Sequence, residues 1–149
     1  MSSDYRSLFD AITDAFNEYY TLYNKGAAKI DAYQLTVQQE SILFHLMRSD
    51  RTTANDIASR FSITKSAVSQ VLTQLESRGF IVRESNPNDR RESFILLGSE
   101  GQKYAALIHE ADETFIREHL SQIDQTDLEQ MLRTLKQFNA VIKSAKEKR

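Results

Sequence analysis

The sequence has no cysteine, which removes disulfides, thiolate metal ligation and thiol-based redox sensing in one step. Proline occurs once and glycine four times, and with no internal repeat or low-complexity tract there is little room for a flexible interdomain linker. No apolar run approaches the length of a membrane span. The first residues, Met1 to Arg6, lack the charged and apolar regions of a secretory signal, so a cytoplasmic protein is expected. Signatures of catalysis are missing as well: there is no glycine-rich phosphate loop and no nucleophile elbow. His45 falls in a different segment from His109 and His119, which stand ten positions apart. No convergent titratable set points to an enzyme, and no cofactor is expected.

What the chain does hold is ordinary in amount and uneven in placement. At 149 residues, 40% hydrophobic and 27% charged, it suits a small globular domain with an interaction arm. The formal charge of −2 argues on average against nucleic acid. Between Arg48 and Arg91, however, eight Lys/Arg stand against five Asp/Glu, so the basic share is concentrated in one region.

Inside that region, residues 64–78 have helical spacing. Ala67, Val68, Val71, Leu72 and Leu75 share one side, and Ser66, Ser69, Gln70, Thr73 and Ser77 share the other, with Lys65 near the start. An uncharged face of short hydrogen-bonding groups is suited to base edges in a major groove, because nothing bulky holds the helix away. The plain alternative is a solvated helix face. Upstream, Thr53 and Asp56 mark a helix start, followed by a short apolar stripe of Ile57, Ala58 and Phe61, so the two segments read as a helix-turn-helix. Gly79 supplies the stop. The period then becomes extended at 80–82 and again at 94–97, with Pro87, Asn86 and Asn88 as turn signals between. The expected hairpin carries Asp89, Arg90 and Arg91 at its tip, where an arginine can enter a narrow minor groove.

This order, from two helices through Gly79, a strand, the Asp89–Arg91 tip and a second strand to Ser99, Glu100 and Gly101, resembles the winged helix-turn-helix of the MarR (multiple-antibiotic-resistance regulator) family of bacterial transcription factors. Asp89 and Arg91 match the family's Asp-x-Arg, and the leucine-rich strand leads into its Glu-Gly helix start. One departure is Gly98, where threonine is usual, so the cap of the next helix falls to Gly98 or to Ser99. The resemblance implies a mostly α protein with a small β-hairpin wing, a single MarR-like domain over 1–149. Its winged-helix lobe would span 36–98, and its helical dimerisation region 4–24 and 99–145. It also implies a homodimer on a pseudo-palindromic double-stranded DNA operator, acting as a repressor. DNA would be met by Lys65, Ser66, Ser69, Gln70, Thr73, Asp89, Arg90 and Arg91, with Arg90 in the minor groove and Asp89 and Arg91 shaping the wing. The rival from another class is a winged helix used only for protein–protein interaction.

The remaining segments fit an arm. Residues 4–24 carry Leu8, Phe9, Ile12, Phe16, Tyr19, Tyr20 and Tyr23, a stripe too wide for a helix lying on one small lobe. Gly26 and a loop to Leu35 should separate it from a scaffold helix capped by Thr36 and Gln39. A long helix from Ser99 to about Ser121, a break, and a last helix through Ile142 should form an antiparallel hairpin, followed by a fraying basic end. The resemblance further implies a small apolar or aromatic effector, for which Phe16, Tyr19, Tyr20, Tyr23, Phe44 and His45 are the candidate lining. His109 and Glu113 with Glu40 could hold a metal, as related positions do in a zinc-sensing branch. Ser41 stands where that branch has histidine, and no metal site is assigned.

Overall fold

Capping decides where the helices of the reading lobe begin. Thr36 accepts the amide of Gln39 while the Gln39 side chain accepts the amide of Thr36, and this reciprocal pair opens the helix Val37–Met47. Thr53 and Asp56 form the same box ahead of Ala54–Phe61, and Thr64 accepts from the amide of Ala67 ahead of Lys65–Ser77. The computed structural model describes residues 3–24 and 28–147. In chain order the elements are α1 (Ser3–Asn24), α2 (Ala28–Asp31), α3 (Val37–Met47), α4 (Ala54–Phe61), α5 (Lys65–Ser77), β1 (Ile81–Ser85), β2 (Ser93–Leu97), α6 (Ser99–Glu118), a 3₁₀ turn (Leu120–Gln122) and α7 (Gln125–Glu147). They divide into two compact units, residues 1–108 and 109–149. The expected fold class, mostly α with a small hairpin, is the observed one.

In the first unit the core lies between α3, α4, α5 and the base of the hairpin. Ile42, Leu43, Ile57, Val68, Leu72, Leu75, Ile81 and Ile95 are fully buried, each contributing about 1.5–3 kcal/mol of apolar burial. Tyr104 on α6 joins this core. It lies edge-on to Tyr33 at 5.3 Å and to Phe80 at 6.3 Å, and its hydroxyl donates to Glu40 Oε1 at 3.5 Å. Burial first, and the Glu40 carboxylate second, hold its phenol well above the ordinary tyrosine pKa.

The hairpin differs from its expected limits. Phe80 does not belong to β1, because its amide closes the end of α5 by donating to Leu75 O at 2.9 Å, beside Gly79 donating to Glu76 O at 3.0 Å. Gly79 takes φ +75°, and the two bonds make a glycine-terminated helix end. The antiparallel ladder then runs from Ile81 opposite Leu97 to Ser85 opposite Ser93. On its other side β2 meets the chain ahead of α4, with Ile95 donating to Thr52 O at 2.8 Å and a bridge between Thr53 and Phe94. Gly98 is the residue whose carbonyl accepts the first helical bond of α6, from Gln102 at 2.9 Å, so the cap falls to Gly98.

Elsewhere, Gly26 lies outside the described residues, and the loop expected before Leu35 contains α2. α1 forms over its expected span and is exposed along its described length. α6 ends at Glu118, earlier than expected, because the chain tightens into the 3₁₀ turn before Asp124 accepts the amide of Thr126 at 2.8 Å to start α7. The second unit leaves Ile116, Met131, Leu132, Phe138, Val141 and Ile142 exposed. α7 stays helical to Glu147 where fraying was expected, and Lys148 and Arg149 lie outside the described residues.

Candidate nucleic-acid interface

α5 buries Val68, Val71, Leu72 and Leu75 and exposes Lys65, Ser66, Ser69, Gln70 and Thr73. The five candidate reading residues therefore share one solvent-facing side of a helix locked by its core. Thr73 donates its hydroxyl to Ser69 O at 2.9 Å and Ser77 donates to Gln74 O at 2.8 Å. Their outward role is thereby narrowed to that of acceptors. The left-handed turn at Ser62, φ 53°, together with the Thr64 cap, fixes the angle at which α5 leaves α4. At the far end Arg78 is not available to DNA: it donates to the carbonyls of Tyr33 and Gln34 and lies over the Phe80 ring at 5.0 Å.

At the wing tip the turn is held by short local bonds. Asn86 Oδ1 accepts the amide of Asn88 at 3.0 Å, and Asp89 Oδ1 accepts the amide of Arg91 at 2.9 Å. Asp89 is thus engaged with backbone, while Arg90 and Arg91 are exposed and have no acidic partner among the described residues. The wing is fastened to the helices by an ion pair from Arg83 Nε to Glu76 Oε2 at 3.0 Å and by Asn55 Nδ2 donating to Glu92 Oε1. Arg51 lies over the Phe94 ring at 5.2 Å. Asn55, Arg83 and Glu92 were missed from sequence. The place of Arg83 depends on its pairing with Glu76 on another element, and the Asn55–Glu92 contact joins positions 37 apart.

The candidate effector residues go to different neighbours. Phe44 packs on Tyr104 at 6.3 Å, whereas His45 pairs with Thr52 Oγ1 at 3.1 Å and meets Phe61 edge-on at 6.0 Å. Phe16, Tyr19, Tyr20 and Tyr23 are exposed on α1, with Tyr19 and Tyr23 stacked at 5.8 Å. No group of three or more potential metal ligands occurs among the described residues. No helix there is long and apolar enough to cross a membrane.

A capped helix-turn-helix whose second helix shows a short polar face, followed by a fastened two-stranded wing, defines a winged helix-turn-helix protein. A family model described as MarR family matches residues 33–92. The transcriptional regulator FarR of Neisseria gonorrhoeae is 33% identical over 82 residues, 54% of this chain and 56% of that protein. The homoprotocatechuate degradative operon repressor of Escherichia coli is 28% identical over 118 residues, 79% of this chain and 80% of that one. Among solved structures, S. aureus MepR in its DNA-binding conformation superposes with a TM-score of 0.67 at 26% identity, covering 93% of this chain and 98% of MepR. The chain spans little more than half the length of FarR. The reading lobe of this chain is thus similar in sequence, and the chain similar in fold, to regulators of the MarR family.

Proposed function

We propose that the protein is a DNA-binding transcriptional repressor that engages a pseudo-palindromic operator as a homodimer. The observation that carries the reading is the exposed face of Ser66, Ser69, Gln70 and Thr73 on a helix whose opposite side is wholly committed to the core. Such a face reaches base edges in the major groove while Lys65 meets a flanking phosphate. The wing carries Arg90 toward the adjacent minor groove, with Asp89 and Arg91 holding the tip in shape. The exposed apolar residues of α1 and α7, among them Tyr20 at 67% and Val141 at 69% exposure, form the surfaces through which two copies pair. The names of FarR and the homoprotocatechuate repressor, both regulators of transcription, support the same reading.

A small apolar or aromatic effector would release DNA by preferring a dimer whose α5 helices are wrongly spaced. Operator DNA must then weaken effector binding by the same factor. The proposal is tested by titrating duplex DNA at several salt concentrations. Log Kobs should fall steeply and linearly with log salt, because each neutralised phosphate releases counterions. Salt-independent binding, or binding only to an acidic protein, would assign the wing and α5 to protein interaction instead.

A further inference from the structure

We infer that a pocket between the wing and the helix-turn-helix seats one phosphate of the DNA backbone, with Arg83 as a ligand beside Lys65 and Arg91. The inference rests on the DNA-binding reading above and names a contact within it. The pocket has a volume of about 250 Å³, and its walls include Asn55, Lys65, Arg83, Arg91, Glu92 and Ser93. That is below the roughly 300–1,000 Å³ of pockets that enclose drug-sized ligands, so a small oxyanion suits it better.

Three cations therefore face one carboxylate, and that carboxylate is already engaged by the Asn55 amide. Lys65 and Arg91 have no acidic partner among the described residues. Arg83 is bound to Glu76 through Nε, which fixes the plane of the guanidinium and leaves its terminal nitrogens to donate. The capping box of α4 engages the amides of Thr53 and Asp56. The intervening residues Ala54 and Asn55, both lining the pocket, have no acceptor for their amides among the described residues. An oxyanion in the pocket would offset the mutual repulsion of the cations and accept these donors together.

The location identifies the source of that oxyanion. Lys65 begins the helix proposed for the major groove, and Arg91 belongs to the wing proposed for the minor groove. The sugar–phosphate backbone is what separates one groove from the other. A duplex read by both elements must carry a backbone strand across the interval between them, and the pocket occupies that interval.

The test compares Arg83→Gln with Glu76→Gln in the full chain, using duplex operator and measuring affinity across a salt series. Both variants break the same ion pair, but only the first removes a cation. Arg83→Gln should lower the slope of log Kobs against log salt by about 0.9 per half-site, which is about eightfold in affinity per half-site at 0.1 M salt. Glu76→Gln should leave the slope unchanged or raise it. Equal slopes for the parent and Arg83→Gln, with the parent steep, would overturn the phosphate seat and leave the DNA-binding reading standing. A flat slope in the parent would overturn both. If inorganic phosphate saturated the pocket of the free protein and Arg83→Gln left the DNA slope alone, the pocket would be a free-anion site and the inference would fail.

Discussion

Replacing Gly98 by alanine should destabilise the protein, although a glycine-to-alanine change that the backbone tolerates stabilises by about 0.4–1 kcal/mol through the unfolded chain. A Cβ at position 98 would lie 2.4 Å from the carbonyl oxygen of Gly79 and 3.1 Å from its carbon. Relief requires moving the base of the wing away from the start of α6. Two hydrogen bonds cross that joint, from Gly98 N to Phe80 O at 2.8 Å and from Glu100 N to Gly79 O at 3.1 Å. Weakening both costs about 0.5–1.5 kcal/mol each, so a net loss of about 1–2 kcal/mol is expected. Gly98→Thr, which introduces the residue usual at this point in MarR regulators, should do no better, since its hydroxyl cannot cap α6 without the same Cβ overlap. Gly79→Ala is the companion: its Cβ has room, 3.4 Å from Glu100 Cγ, and its φ of +75° supplies the cost, about 1–2 kcal/mol for a left-handed non-glycine residue. Urea melts at fixed protein concentration should show lower midpoints with unchanged slopes. A Gly98→Ala protein as stable as the parent would show instead that the joint opens without loss and that the contact with Gly79 carries no stability.

Arg90→Ala should weaken operator binding by about 1–3 kcal/mol with the fold intact; unchanged affinity at moderate salt would remove Arg90 from the reading surface. Gln70→Ala should relax preference at particular operator positions, and uniform weakening across a randomised operator pool would demote Gln70 to a positioning role. Deleting residues 1–24 should leave insoluble or unfolded protein, since an obligate interface of this kind buries upwards of about 2,000 Å², and a soluble folded monomer would contradict the pairing. Tyr104 is held neutral by burial and by Glu40, so its raised pKa contributes stability that is complete below the pKa of a free tyrosine and is lost as pH climbs beyond it. Alkaline melts of Tyr104→Phe should therefore fall less steeply than those of the parent, and an equal fall would show that Tyr104 carries none of the dependence.

The parts of the fold legible in the sequence are those set by local chemistry. Thr36 with Gln39, Thr53 with Asp56, Thr64 ahead of α5 and Gly79 behind it all act over three or four residues, and each stands where its residue type requires. The parts that were not legible are long-range or lack a period. The strand-like contact at Thr52 and Thr53 is a single bridge with no alternation to reveal it. Phe80 has the composition of a strand residue, yet its amide is captured by the end of α5. The cap at Gly98 was ambiguous because its cause is a backbone approach from Gly79, nineteen positions earlier. The same holds for the candidate interface: the polar face of α5 follows from helical spacing, whereas the place of Arg83 depends on how β1 is laid against Glu76.

The most direct test of the central claim is a methylation-protection footprint of the purified protein on genomic fragments. Two protected half-sites in inverted repeat are expected, their centres about one helical turn or 34 Å apart. Guanine N7 should be shielded at each centre by α5, and adenine N3 in the flanking minor groove by the wing. Protection confined to a single unpaired site, or shielding of the minor groove alone, would contradict the placement of α5 and the dimer that spaces it.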